Sequence, residues 1–141
     1  KILRVNLYGT FFVCRAVIPQ LLRTRGCIVN TSSTAALGSH PWMAAYAASK
    51  GGILSLTRTI AVEYVKQGLR ANCVCPGGIV TPLHGQFRIP KGADPDVLRG
   101  AMPLVPYAGP EHAASVIAFL ASDDAHYITG AEIRADGGAL S

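Results

Sequence analysis

The sequence has few charged residues and no long apolar run. Of its 141 residues only 15% are charged and 50% are hydrophobic, which excludes a disordered tail, a coiled coil and a collagen-like repeat. Arginines such as Arg4, Arg15 and Arg58 interrupt the apolar segments, so none reaches the ~18 residues that span a bilayer. No secretory signal is visible at the start. We therefore expect a globular chain that does not contact a membrane.

Acidic residues are nearly absent from positions 1–91. Glu63 stands there against 11 Lys and Arg, whereas positions 92–141 carry seven acids against Arg99 and Arg134. A basic half can indicate nucleic acid or a phosphate-bearing ligand. Because the basic residues are scattered, we favour solvated helix faces and expect no nucleic-acid partner.

The four cysteines lack the spacing of a metal or redox site. Cys73 and Cys75 are separated by one residue, Cys14 and Cys27 are isolated, and the histidines are dispersed. We interpret the cysteines as small buried hydrophobic residues in a reducing cytoplasm, and we predict no metal site.

Helical and strand patterns alternate along the chain. Helices are predicted over 2–24, 43–67 and 110–122, and strands over 27–30, 70–75 and 131–135. This alternation predicts an α/β fold with a parallel sheet covered by helices. Three strands make a thin sheet, which suggests half of a doubly wound domain.

Residues 82–108 break the alternation. They hold five prolines, and only 94–100 has a helical pattern. Such a segment is usually a lid, a binding loop or an insertion. Arg88 and Lys91 could meet a carboxylate or a cofactor phosphate. The apolar residues could instead line a site for a steroid, a cyclic alcohol or an acyl chain; they are Phe87, Ile89, Leu98, Met102 and Leu104.

Tyr46 and Lys50 lie four residues apart on a predicted helix, so their side chains share one face. An ammonium beside a phenol favours the phenolate, which would make Tyr46 a general acid/base near neutral pH. An ordinary amphipathic helix gives the same spacing by chance.

Ser33 follows the apolar run 28–29 and should stand at the carboxyl end of a strand, where open α/β sheets bind ligands. Loop capping is the simpler role for its hydroxyl.

Pro76-Gly77-Gly78-Ile79-Val80-Thr81 follows a second predicted strand. Glycines there allow a ligand to approach the backbone closely, and free N–H and C=O groups can bind a carboxamide. A plain strand-ending turn is the alternative.

Taken together, these residues resemble a known family. Ser33, thirteen positions before Tyr46 in Tyr-Ala-Ala-Ser-Lys (46–50), is similar to the active-site pattern of short-chain dehydrogenases/reductases. Segment 28–33 resembles the family's strand before the catalytic Ser, and 5–10 its catalytic-Asn segment. Segment 76–81 resembles its nicotinamide-holding stretch, and 128–131 with 136–138 its carboxyl end.

This resemblance implies a Rossmann-type doubly wound parallel sheet, NAD or NADP as cofactor, and hydride transfer between an alcohol and a carbonyl. Tyr46 would be the acid/base, and Lys50 would assist it and bind the nicotinamide ribose. Ser33 would hold the substrate oxygen, and Asn6 would support a water that links Lys50 to solvent. The nicotinamide end of the cofactor would be held by Pro76, Gly77, Ile79 and Thr81.

The family's Gly-rich dinucleotide loop has no counterpart in these residues. We therefore expect 1–141 to be the carboxyl-terminal part of one catalytic domain, with 82–108 as its substrate loop. Two functions stay open. The protein is an oxidoreductase acting on a small alcohol or ketone, or these residues are an inactive fragment or association module. In both cases the resemblance implies a homodimer or homotetramer formed through helices 1–24 and 43–67.

Overall fold

The computed structural model describes residues 1–82, 85 and 88–141. In the described residues three α-helices alternate with three strands. The helices are α1 (Gly9–Thr24), α2 (Ala44–Tyr64) and α3 (Pro110–Ala121), and the strands are β1 (Cys27–Thr31), β2 (Arg70–Pro76) and β3 (Glu132–Ala135). The alternation predicted from the sequence is confirmed. One feature was not predicted, namely a π-helical turn over Arg4–Tyr8 that runs directly into α1.

The strands form one parallel sheet in the order β1-β2-β3. In the register, Cys27 pairs with Arg70 and Cys73 pairs with Glu132. Each connection passes through a helix, α2 between the first two strands and α3 between the last two, as parallel pairing requires. The carboxyl ends of the three strands therefore lie along one edge of the sheet, where open α/β sheets bind ligands.

Helices cover both faces of this sheet. On one face, Leu54 of α2 packs with Cys73 and Cys75 of β2. On the other face, Leu120 of α3 packs with Val74. Because successive side chains of a strand point to opposite faces, the central strand is buried from both sides.

The cysteines are free thiols. Cys14, Cys73 and Cys75 are buried, as predicted, whereas Cys27 is half-buried near the outer edge of β1. Three of the four thus behave as small core residues.

Two polar side chains of β2 join the sheet to the segments that follow α3. The fully buried Asn72 donates from Nδ2 to the carbonyl of Ile128 at 2.8 Å and accepts at Oδ1 from the N–H of Ala131 at 3.0 Å. Arg70 donates to two carbonyls at the carboxyl end of α3, at 2.9 and 3.1 Å. These carbonyls lack an intrahelical partner, so both side chains help to fix the entry into β3.

The outer face of α1 is apolar and uncovered. Phe11, Phe12 and Val13 leave 44%, 53% and 62% of their surface exposed. By length and mean hydropathy (1.3), the segment Arg4–Thr24 is comparable to a membrane-spanning helix, although core helices and signal sequences pass the same test. The arginines of this segment do not prevent it from meeting these two criteria, contrary to the expectation from the sequence.

The second half of the segment 82–108 packs along the end of the sheet. Its helical candidate is a 3₁₀ helix, Pro95–Ala101, and the N–H of Leu104 donates to the carbonyl of Gly137 at 2.9 Å. Ile89 and Met102 are exposed, whereas the candidate Phe87 lies outside the described residues. The substrate-loop assignment stays a prediction.

Candidate active site

The second turn of α2 is tied to the carboxyl end of β1 by two hydrogen bonds that run in opposite directions. Nζ of Lys50 donates to the carbonyl of Thr31 at 2.9 Å. The hydroxyl of Ser32, which is 2% exposed, donates back to the carbonyl of Lys50 at 2.7 Å. Both the backbone and the ammonium of Lys50 are thereby fixed at the ligand-binding edge of the sheet.

Tyr46 and Lys50 are neighbours on one face of α2, as their spacing predicts. Nζ of Lys50 lies 5.7 Å from the centroid of the Tyr46 ring, and both side chains are half-buried. A cation at this distance interacts favourably with an aromatic ring. The phenol thus stands beside an ammonium that has its own fixed partner on β1.

Burial lowers the pKa of Lys50 below the usual lysine value, because the charged form loses hydration; nearby Cys73 and Cys75 act in the opposite direction. The two thiols also influence each other. The hydrogen bond between them lowers the pKa of Cys73 and raises that of Cys75. Lys50 therefore lies near the buried apolar cluster of α2 and β2 that includes Cys73 and Cys75.

Replacing Lys50 by Met is expected to flatten the alkaline side of the stability profile. The folded-state pKa of Lys50 lies below its unfolded value of about 10.4. Between these two values the unfolded state binds more protons, so the free energy of unfolding rises with pH. Thermal melting of both proteins from about pH 7 to about pH 10.5 should show the wild type gaining stability relative to K50M. Parallel curves would contradict the burial of the charge.

Asn6 reaches this turn from the π-helical segment Arg4–Tyr8. Its Nδ2 donates to Oγ of Ser49 at 3.1 Å, and the Ser49 hydroxyl donates to the carbonyl of Tyr46 at 2.7 Å. Ser49 is fully buried. Isolated π turns often occur at functional sites, and this one brings the Asn6 amide to Ser49, which lies between Tyr46 and Lys50 in the sequence. The water that Asn6 would support stays a prediction.

Ser33 stands just beyond β1 at the same edge and is 8% exposed. Its Oγ accepts from the N–H of Ala35 at 3.2 Å and caps the short 3₁₀ helix Thr34–Ala36. The capping role considered from the sequence is therefore present. Because this bond uses a lone pair, the hydroxyl hydrogen can still be donated to a substrate oxygen, so the two roles are compatible.

The loop that follows β2 is held from two sides. The N–H of Gly77 donates to the carbonyl of Ala135 at 3.1 Å, and the N–H of Val80 donates to the carbonyl of Ala108 at 2.9 Å. Ile79 forms an isolated parallel bridge with Ala108. These bonds fix the backbone that was predicted to face a carboxamide.

The remaining loop residues lie at the same edge. Pro76 is the last residue of β2, and Thr81 is half-buried. The N–H of Ser32 donates to the carbonyl of Val74 at 2.8 Å, which carries the β1–β2 ladder one residue past β1. Hydrogen bonds thus join Asn6 to the Tyr46 backbone through Ser49. Other bonds join Lys50 to the end of β1, and Ser33 and the 76–81 loop lie along the same edge.

Two residues that help to build the site were not predicted from the sequence. Thr31 acts through a backbone carbonyl, which no side-chain pattern indicates. Ser49 did carry a signal, because serine is a modest helix former and here it stands inside a helix between two candidate functional residues. Within the described part of the chain, no cluster of three or more His, Cys, Asp or Glu could hold a metal ion.

Comparison with known proteins gives consistent matches over nearly the whole chain. The family model described as "Enoyl-(Acyl carrier protein) reductase" matches residues 1–139. A 2-(R)-hydroxypropyl-CoM dehydrogenase from Xanthobacter autotrophicus is 41% identical over 138 residues, which are 97% of this chain and 55% of that protein. An inactive 2-(S)-hydroxypropyl-CoM dehydrogenase 2 from the same organism is 40% identical over 98% of this chain and 62% of its own length.

Solved structures agree with the fold. A 4-hydroxyisoleucine dehydrogenase complexed with NADH and succinate superimposes with a TM-score of 0.79 at 34% identity, covering 94% of this chain and 55% of that one. The chain therefore spans a little over half the length of the relatives that it matches.

Proposed function

The chain belongs to the short-chain dehydrogenase/reductase family, and on that premise we propose that the complete polypeptide transfers a hydride between NAD(P)(H) and an alcohol or carbonyl substrate. The expected α/β sheet of Rossmann type is confirmed. The observation that carries the proposal is the placement of Tyr46 beside Lys50, whose ammonium is anchored to β1 at 2.9 Å.

The residues supply the proton chemistry of such a reaction. In carbonyl reduction Tyr46 gives its phenolic proton to the substrate oxygen, and in alcohol oxidation it takes that proton. Lys50 stabilises the phenolate left behind, because an adjacent cation favours the charged form. Ser33 donates to the same substrate oxygen and stabilises the charge that develops there. When bound, the nicotinamide supplies or accepts the hydride.

The residues present fit the nicotinamide end of the cofactor. An ammonium has three donors, and the bond to Thr31 uses one donor of Lys50, so the others can reach ribose hydroxyls. The 77–81 backbone is fixed on both sides, as a carboxamide site requires. We propose NAD or NADP here, because the described residues that form this end do not discriminate between the two.

A fluorescence titration of the complete polypeptide with NADH and, separately, NADPH tests this proposal. Saturable binding of one nucleotide is expected, and the tighter one identifies the cofactor. An NAD(P)H-dependent turnover screen over small ketones, cyclic ketones and acyl substrates then identifies the substrate class. Binding of neither nucleotide would overturn the enzyme proposal.

The second candidate is an association module without activity. The exposed apolar face of α1 favours it, because a groove of about 400 Å³ there is lined by Leu7, Tyr8, Phe11, Phe12 and Leu56. Exposed apolar patches can mark protein–protein interaction sites. Under either function we propose that a second copy packs on 1–24 and 43–67 to form a homodimer or homotetramer. Sedimentation of a clean monomer at micromolar concentration would contradict this assembly.

We also propose a cytoplasmic location, with neither nucleic acid nor membrane as a partner. The free thiols suit a reducing compartment.

Segment 82–108 is proposed as the substrate loop, because its end pairs with the 77–80 backbone through Ala108.

A further inference from the structure

The first turn of α2 has weak local support. Its N-cap residue, Met43, makes no side-chain cap bond, although the first N–H groups of a helix need partners and a polar cap stabilises the helix start by about 1 kcal/mol. Tyr46 is the third residue of this helix. Its position therefore depends on bonds from outside the first turn.

Ser49 supplies such a bond. A serine hydroxyl has one hydrogen and two lone pairs. Here the hydrogen is donated to the carbonyl of Tyr46 at 2.7 Å, and a lone pair accepts Nδ2 of Asn6 at 3.1 Å. The direction of each bond is thereby fixed. A single buried oxygen joins the Tyr46 backbone to the side chain of Asn6 one residue before Lys50.

The same helix contains a matched pair away from the site. Thr57 donates to the carbonyl of Ile53 at 2.7 Å and accepts Nδ2 of Asn30 at 2.9 Å. Ser49 is 0% exposed and Thr57 is 1% exposed. Both hydroxyls thus make the same two kinds of bond at equal burial, but Thr57 lies about two turns farther along the helix.

We propose that Ser49 is a positioning residue for Tyr46 and Lys50, acting through its two hydrogen bonds to Asn6 and to the Tyr46 carbonyl. The inference rests on the proposed oxidoreductase function. Removing the hydroxyl deprives the Asn6 amide of this acceptor and leaves the Tyr46 carbonyl with only its helical partner, so the phenol shifts relative to the ammonium. Thr57 has no such role, because its bonds hold a part of the helix that is remote from the reacting groups.

The test compares Ser49→Ala with Thr57→Ala in the complete polypeptide. S49A is expected to lower kcat about 10- to 100-fold, the scale of a small misplacement of reacting groups. NAD(P)H affinity should change less than about 3-fold, and the pH midpoint of kcat should move. T57A should lower the melting temperature to a similar extent but change kcat less than about 3-fold. Ser49→Thr retains a hydroxyl and should recover part of the lost kcat.

Amide hydrogen exchange gives a readout that needs no turnover. S49A should increase exchange across 44–50, and T57A should leave that peptide unchanged. If kcat falls in both variants in proportion to the melting temperature, or if exchange in 44–50 is unchanged in S49A, the positioning role is wrong. A wild type that binds neither NADH nor NADPH overturns the proposed function, yet the exchange experiment still decides whether Ser49 holds Tyr46.

Discussion

Tyr46→Phe should remove nearly all turnover and leave cofactor binding almost intact. The substitution deletes one oxygen from a side chain that stays beside Nζ of Lys50, 5.7 Å from the ring centroid. A positioned acid/base contributes about 10²- to 10⁴-fold to a rate, and we expect a loss of kcat in that range. Steady-state kinetics and the NAD(P)H dissociation constant should be measured on the same preparation.

Tyr64→Phe is the matched control for this substitution. Tyr64 is the last residue of α2 and packs against the apolar cluster around Ile60. It lies 18 residues from Tyr46, which is roughly 27 Å along a helix. Y64F deletes the same phenolic oxygen from the same helix. Because Tyr64 is far from the site, kcat should stay within about 3-fold of the wild type. Retention of most activity in Y46F would exclude Tyr46 as the acid/base.

Gly77→Ala is expected to weaken both cofactor binding and stability. A Cβ on Gly77 would stand 2.9 Å from Cα of Asp136. Because that neighbour is backbone, it cannot turn aside as a flexible side chain would. The loop must therefore move away from β3 and lose the bond from Gly77 to Ala135. Overpacking of this kind costs about 1–3 kcal/mol, and we expect at least a roughly 10-fold loss in NAD(P)H affinity. Urea unfolding and the nucleotide titration measure the two effects.

Gly51→Ala adds the same methyl group where there is space for it. Gly51 lies inside α2, and a Cβ there meets nothing within 4 Å. Alanine is favoured over glycine inside a helix by about 0.5–1 kcal/mol, so this variant should be slightly more stable and bind NAD(P)H as the wild type does. If G77A and G51A had equal stability and equal NAD(P)H affinity, the close approach of Gly77 to Asp136 would not constrain the loop.

The long elements could be predicted because each is encoded locally. Helix α2 follows from its apolar spacing, and the turn after it closes at Gly68, whose φ of 86° suits glycine. The ends of β1 and β2 could be located because polar or glycine-rich residues follow short apolar runs. From these ends alone, Ser33 and the 76–81 loop could be assigned to one edge of the sheet.

The details of the site could not be predicted, because they depend on contacts between distant segments. The π turn at Arg4–Tyr8 has the same apolar spacing as an α-helix, so periodicity does not distinguish them. The Lys50 ammonium finds its partner in the carbonyl of Thr31, which any residue type would provide. Ser33 was expected either to cap or to bind substrate, and the structure shows the capping bond while leaving the hydroxyl hydrogen for a second partner.

The spacing of the paired strands also determines when the chain can assemble. Cys27 of β1 pairs with Arg70, 43 positions later, and Cys73 of β2 pairs with Glu132, 59 positions later. At synthesis rates of about 5–20 residues per second, β2 waits about 3–12 s for β3 to emerge. Pairing over such separations is slow, because a long loop must close before any contact stabilises it. Because the N–H of Gly77 donates to the carbonyl of Ala135 in β3, the loop after β2 can be fixed only once β3 has been synthesised.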